Sequence, residues 1–154
     1  GVIGGNKAIM ELLAPLGPVY HAGTFSGNPV SMTAGLKTIE LIERYRVPER
    51  INTYGDRLRG ALRELVRDSG VAASVSGVGS MFQIFFTADG RRVRNYADAL
   101  GCDKKRYMRL FHAMLSSGIF LPPSPFETNF ISFAHTEEEI ERTIEAFKHN
   151  LTKS

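Results

Sequence analysis

The feature that most constrains this chain is a change of hydrophobic period at Ser69-Gly70. Before it, apolar residues recur at helical spacing. Met32, Leu36, Ile39 and Ile42 mark one run from about Val30 to Tyr45, and Tyr54, Leu58, Leu62, Leu65 and Val66 mark a second that begins near Pro48 or Glu49. After it, residues 71–76 and 80–87 alternate and are rich in Val, Phe and Ile, as half-buried strands are, with Gly77 and Gly79 as a turn or bulge between them. Helical spacing returns with Tyr107, Phe111, Met114 and Leu115, opened by Asp103 as N-cap and stopped at Gly118. A last helix carries Ile140, Ile144, Phe147 and Leu151 behind a Thr136/Glu139 capping box.

Two further strands are expected, a short one at residues 119–121 and an alternating one at 130–134. Between them Pro122-Pro123-Ser124-Pro125 forces an extended loop, because proline cannot donate to a sheet ladder. Residues 91–101 are too polar and irregular to supply a strand after the Asp89-Gly90 turn. The order of elements predicts an α+β domain with a small, largely antiparallel sheet covered by helices on one face. Gly1 to Gly5 reads as the end of a buried strand turning tightly, followed by a short helix capped by Asn6 with Ile9, Leu12 and Leu13 on one face.

Composition narrows the partners. With 154 residues and 43% apolar content, the chain has enough material for one sizeable core. Its net charge of +3 is spread along the sequence, which argues against nucleic-acid binding. Arg91, Arg92 and Arg94 are the densest basic group and read as a solvated loop. A lone Cys102 excludes an internal disulfide and fits a reducing, cytoplasmic setting. No apolar run reaches membrane-spanning length, His21, His112 and His149 lack the spacing of a metal site, and His135, ahead of a helix cap, reads as a boundary residue rather than a base. The opening without Met reads as a chain cut from something longer.

The stretch richest in candidate chemistry is Tyr20-His21-Ala22-Gly23-Thr24-Phe25-Ser26-Gly27-Asn28-Pro29. Asn28 suits an N-cap and Pro29 the first helical position. Glycines and hydroxyls ahead of a helix start supply N–H and O–H donors beside the positive end of the dipole, which favours a phosphate. The same pattern serves ordinary helix capping.

Residues 21–29 resemble the H-x-x-T-F-x-G-N-P segment of class III pyridoxal-phosphate (PLP) aminotransferases. Gly4-Gly5, the run from Ile9 to Tyr20, Gly79-Ser80-Met81-Phe82, Ser124-Pro125-Phe126-Glu127 and Ala134-His135-Thr136-Glu137-Glu138 resemble, within that class, the glutamate-1-semialdehyde 2,1-aminomutase family. The resemblance implies the fold-type I PLP architecture. Residues 1–29 would be a remnant of the PLP-binding large domain, 30–45 a connecting helix, and 46–154 the C-terminal small domain. It further implies a homodimer in which Gly23 and Thr24 hold the phosphate of the cofactor bound by the neighbouring subunit. The small-molecule substrate would lie near Glu127, with Ser80 and Met81 as further candidates. Much of residues 1–30 is expected to be disordered or to pack on a second copy.

The reaction implied is the conversion of glutamate-1-semialdehyde to 5-aminolevulinate, on the route to porphyrins. In the family the Schiff-base lysine lies upstream of the position of Gly1, so no catalytic residue is assigned here and the isolated chain is expected to be inert. Lys7, near a helix start after a glycine turn, reads as a surface lysine. Two alternatives remain. One is a class III ω-aminotransferase, many of which place a carboxylate-gripping Arg just before the last helix, where this chain has Asn129-Phe130-Ile131-Ser132-Phe133-Ala134-His135. The other is a non-catalytic folding or dimerisation module.

Overall fold

The computed structural model describes residues 3–153 and divides the chain into two compact units, residues 1–45 and 46–154. In the first unit, α1 (Lys7–Met10) is capped by the Asn6 side chain, which accepts from the Ala8 N–H at 2.9 Å. A parallel bridge joins Leu13 to Val19. The strand expected at residues 1–5 is not formed at Ile3, Gly4 and Gly5, which are exposed; its Gly1-Val2 portion lies outside the described residues. The unit then continues through an exposed turn into α2 (Pro29–Arg44). Within this unit no described residue is buried, and the apolar stripe of α2 stands open, with Met32 62% and Leu36 61% exposed. A stripe this apolar on a helix is the mark of a surface that packs against something.

The second unit is the α+β fold expected from the change of period. Its longest helix, α3 (Val47–Ser69), starts behind Arg46, whose φ of 48° ends the preceding helical path, and stops at left-handed Gly70. Its start falls one residue ahead of Pro48, which sits where a missing N–H costs nothing. β1 (Ala73–Val78) and β2 (Met81–Phe86) pair antiparallel, with Val78 opposite Met81. The connection is a two-residue hairpin, Gly79-Ser80, and the positive φ of Gly79 (55°) matches the primed turns that suit strand twist. Gly77 lies within β1 and is not part of the turn.

The sheet's third strand, β3 (Asn129–Phe130), pairs antiparallel with Met81 and Phe82. It is shorter than the alternation of residues 130–134 suggests. After Ile131 donates to the Ser80 carbonyl at 3.0 Å, Ser132 turns back and its N–H meets His135 Nδ1 at 3.1 Å, so the ladder ends. The strand expected at residues 119–121 is absent as well. Ile119 donates to Met114 O as the close of the preceding helix, and Leu121 is apolar because it is core, at 2% exposure. A short helix, α4 (Tyr96–Leu100), occupies the polar stretch assigned no structure, opened by Asn95 accepting from the Asp98 N–H.

Helices α3, α5 (Lys104–Ser116) and α6 (Glu137–Asn150) share one core with the inner face of the sheet. Leu58 and Leu62 from α3, Phe82, Ile84 and Phe86 from β2, Tyr107, Leu110 and Met114 from α5, and Ile140 and Phe147 from α6 are all buried there. Removing that apolar area from water is the main stabilising term of the unit. Arg57 on α3 pairs with Glu137 and Glu141 on α6, tying the two helices together at the surface.

Candidate functional site

The turn ahead of α2 is built locally. Ser26 N–H donates to Gly23 O at 2.9 Å and Asn28 N–H to Phe25 O at 3.1 Å, and Gly27 takes a positive φ of 73°. Asn28 then caps the helix with its side-chain oxygen, accepting from Val30 N–H at 3.0 Å and Ser31 N–H at 3.3 Å. The N-cap expected at Asn28 is formed. The first N–H groups of α2 are consumed by Asn28, so an anion at this turn depends on the groups before the helix. Gly23, Thr24, Phe25 and Ser26 are all exposed, and among the described residues the N–H and hydroxyl of Thr24 have no protein partner. A Cβ on Gly23 would come within 2.8 Å of Ser26 Oγ, which would have to rotate away. An exposed turn with unclaimed N–H and O–H donors fits a phosphate.

The second candidate region lies on the face of the sheet opposite α3, α5 and α6. Loop 122–128 runs along it and is held from beneath by buried side chains. Tyr107 donates its hydroxyl to Pro122 O at 2.9 Å, and burial pushes that hydroxyl's pKa up. Gln83, 6% exposed on β2, donates through Nε2 to Glu127 O and to Ser124 O, the latter at 3.5 Å. Its Oε1 accepts from Ile84 N–H at 2.9 Å and from Asn129 Nδ2 at 3.1 Å. The exposed Glu127 side chain thus rises from a backbone fixed by a fully satisfied buried amide.

Glu127, Gln83, Phe85, Tyr96 and Phe126 line a cavity of about 320 Å³. A neighbouring cavity of about 260 Å³ shares Ser76, Gln83, Phe85 and Thr128 with it and adds Met81. Ser80 lines neither; it is half-buried in the β1–β2 turn, with its carbonyl bonded to Ile131. The structure therefore brings Glu127 and Met81 to adjoining cavities and leaves Ser80 one residue away. Gln83 was not among the sequence candidates. Its only sequence signal is a polar residue within an otherwise apolar strand run, Met81 to Phe86.

Three other groups take ordinary roles. Lys7 is 87% exposed at its side chain and pairs with Glu11 one helical turn on. Arg91 pairs with Asp89 in a solvated loop, and Arg94, 75% exposed at its side chain, pairs with Asp98 on α4. His135 Nδ1 closes the Ser132 turn and stands 2.9 Å from Ser132 Oγ. Among the described residues no helix is long and apolar enough to cross a membrane, and no group of three or more His, Cys, Asp or Glu side chains is placed to hold a metal.

The family model described as aminotransferase class-III matches residues 1–151. The chain belongs to the class III aminotransferases. Among proteins similar to this class III chain, the glutamate-1-semialdehyde 2,1-aminomutase of Methanosarcina acetivorans is 50% identical over 151 residues, covering 98% of this chain and 35% of the relative. That of Methanothrix thermoacetophila is 52% identical over 148 residues, covering 96% and 34%. Of solved structures, an omega-transaminase from Sphaerobacter thermophilus superposes with a TM-score of 0.76 at 29% identity, over 96% of this chain and 34% of that one. A glutamate-1-semialdehyde aminomutase from Pseudomonas aeruginosa superposes with a TM-score of 0.74 over 94% of this chain and 32% of that one; its 17% identity speaks to the fold alone. The class III chain spans about a third of the length of the relatives it matches.

Proposed function

We propose that this chain is the C-terminal third of a cytoplasmic, PLP-dependent aminomutase that converts glutamate-1-semialdehyde to 5-aminolevulinate, supplying porphyrin synthesis. The observation that carries the reaction is that relatives about half identical to it along nearly its whole length bear that name. In this reading residues 1–29 complete a large cofactor domain, 30–45 form the connecting helix, and 46–154 form the small domain. The parent is a homodimer, and the open apolar stripe of α2 supports packing against a surface outside this chain.

PLP, when bound, supplies an electron sink for moving an amino group between adjacent carbons. Gly23 and Thr24 hold its phosphate, across the subunit interface, with the N–H of Thr24, its hydroxyl and the close backbone that Gly23 permits. Glu127 presents a carboxylate to the amino-bearing substrate at the mouth of the sheet-face cavity, where it attracts ammonium groups and keeps them in place between steps. Ser80 and Met81 approach the same substrate from the hairpin turn. The lysine that anchors the cofactor lies outside this chain, so residues 1–154 alone are inert.

A second reading, an ω-aminotransferase, is favoured by the 29% identity to a solved omega-transaminase. The absence of Arg from residues 129–135 speaks against it, because no guanidinium stands there to grip a second substrate's carboxylate. An absorbance assay of the full-length enzyme separates the two. The aminomutase forms 5-aminolevulinate from glutamate-1-semialdehyde with no added keto acid; strict dependence on a second keto acid would establish the transaminase.

A further inference from the structure

The part of Gln83 that faces the loop is its donor end. Nε2 points at two backbone carbonyls, Glu127 O and Ser124 O, while Oε1 receives two N–H donors, from Ile84 and Asn129. The amide has one satisfactory orientation. Flipping it would face oxygen against two carbonyls and nitrogen against two donors, at a buried site where each mismatch is costly. Asn129 is itself 6% exposed and also donates to Phe82 O at 3.2 Å, so the junction is anchored on both β2 and β3. The loop's own bonds are short-range: Phe126 N–H to Ser124 Oγ at 3.2 Å and Glu127 N–H to Ser124 O at 3.2 Å. Gln83 is thus the link by which the rigid sheet fixes the backbone of Glu127.

We infer that Gln83 is a positioning residue for the aminomutase reaction: through its bonds to the Ser124 and Glu127 carbonyls it sets where the Glu127 carboxylate stands at the substrate cavity. The inference rests on the substrate role proposed for Glu127. Gln83 also lines the cavity, but its amide oxygen and nitrogen are both committed to protein partners, so it acts through the placement of Glu127 and its contribution should vanish when the Glu127 carboxylate is gone.

The test is a double-mutant cycle in the full-length holoenzyme with Gln83→Met, Glu127→Ala and the double variant, reading kcat and KM separately together with amide hydrogen exchange. Gln83→Met is expected to lower kcat/KM about tenfold when Glu127 is present, a misplacement effect, and less than about twofold in the Glu127→Ala background. Exchange at the Phe126 and Glu127 amides should rise in both Gln83 variants. Asn150→Ala removes a buried amide that bonds Ser117 Oγ and Ala146 O on the far helix, and serves as the control for general destabilisation; it should leave kcat/KM unchanged. Equal losses from Gln83→Met in the two backgrounds, or none in either, would overturn the positioning role while leaving Glu127 in place. A native kcat/KM for Glu127→Ala would instead remove the substrate role, and the inference with it. If Gln83→Met does not fold, Gln83→Asn keeps a neutral amide but shortens the side chain by one methylene and so withdraws the donor from the two loop carbonyls, and the same cycle is read with it.

Discussion

Gly55 on α3 lies directly against Gly79 in the β1–β2 turn: a Cβ on Gly55 would collide with the Gly79 carbonyl and stand 2.9 Å from the Ser80 Cα. The contact is reinforced by Arg59, one turn along the helix and 4% exposed, whose guanidinium donates to Gly79 O and, at 3.1 Å, to Met81 O while pairing with Asp56. The hairpin that carries Ser80 and Met81 is therefore seated on α3 by one close backbone approach and one buried cation. Gly55→Ala forces the helix and turn apart and should destabilise by about 1–3 kcal/mol, the usual cost of overpacking. Chemical denaturation of the full-length enzyme measures it, and a fall in kcat/KM should accompany it if the hairpin approaches the substrate.

The core should respond to truncation where it is tightest. Phe147 is fully buried and meets Phe82 edge-on, with ring centroids 6.5 Å apart. Phe147→Ala is expected to cost about 3–5 kcal/mol through lost transfer energy and the cavity left behind. Phe120→Ala, at a ring 73% exposed, should cost far less. Denaturant midpoints of the two variants make the comparison.

The start of α6 predicts an acid-side signature. Glu139 accepts from the Thr136 N–H at 2.7 Å and from the Thr136 hydroxyl, and these bonds hold its carboxyl below the usual Glu range. A carboxyl whose pKa is lower folded than unfolded adds stability at pH values above its unfolded pKa, and loses it as pH falls through the folded value. Thr136→Ala should cost about 1 kcal/mol at neutral pH. Glu139→Gln should flatten the acid limb of a stability-versus-pH curve while leaving the region above pH 7 parallel to the native enzyme's.

Cys102 is 8% exposed, and burial pushes its thiol pKa up, so little reactive thiolate is present at neutral pH. Alkylation by iodoacetamide, followed by mass, should be at least about tenfold slower in the native enzyme than in denaturant. Equal rates would show that α4 and the start of α5 open freely.

Helix α5 was legible because its signals are local: Asp103 caps it through the Arg106 N–H and Gly118 ends it. The capping box of α6 was legible for the same reason. Strand lengths were not, because pairing depends on partners far along the chain. Residues 130–134 alternate, yet β2 offers β3 a partner only at Met81 and Phe82. Ile119 and Leu121 are apolar because they pack on the core, while Phe120 between them is exposed, an alternation that short runs cannot distinguish from strand formation. At the candidate site, Gly23, Thr24 and Glu127 stood out through the words around them. Gln83 did not, since its meaning comes from Ser124, Glu127 and Asn129, more than forty residues on. The cap at Asn28 was legible in the Asn-Pro step, and it takes up the first N–H groups of α2.

The central claim is that the turn at Gly23 and Thr24 grips a cofactor phosphate belonging to the other subunit. Mixed dimers test it directly. One full-length chain carries Thr24→Glu, which repels phosphate, and the other has its cofactor-anchoring lysine replaced by alanine; each homodimer should be inactive. If the site is shared between subunits, the mixed dimer contains one site with both native parts, and formation of 5-aminolevulinate returns toward half the native rate per dimer, together with PLP absorbance at one site per dimer. A mixed dimer as inactive as its parents, although assembled and folded, would show that the turn serves its own chain's site, and an active Thr24→Glu homodimer would show that it serves none.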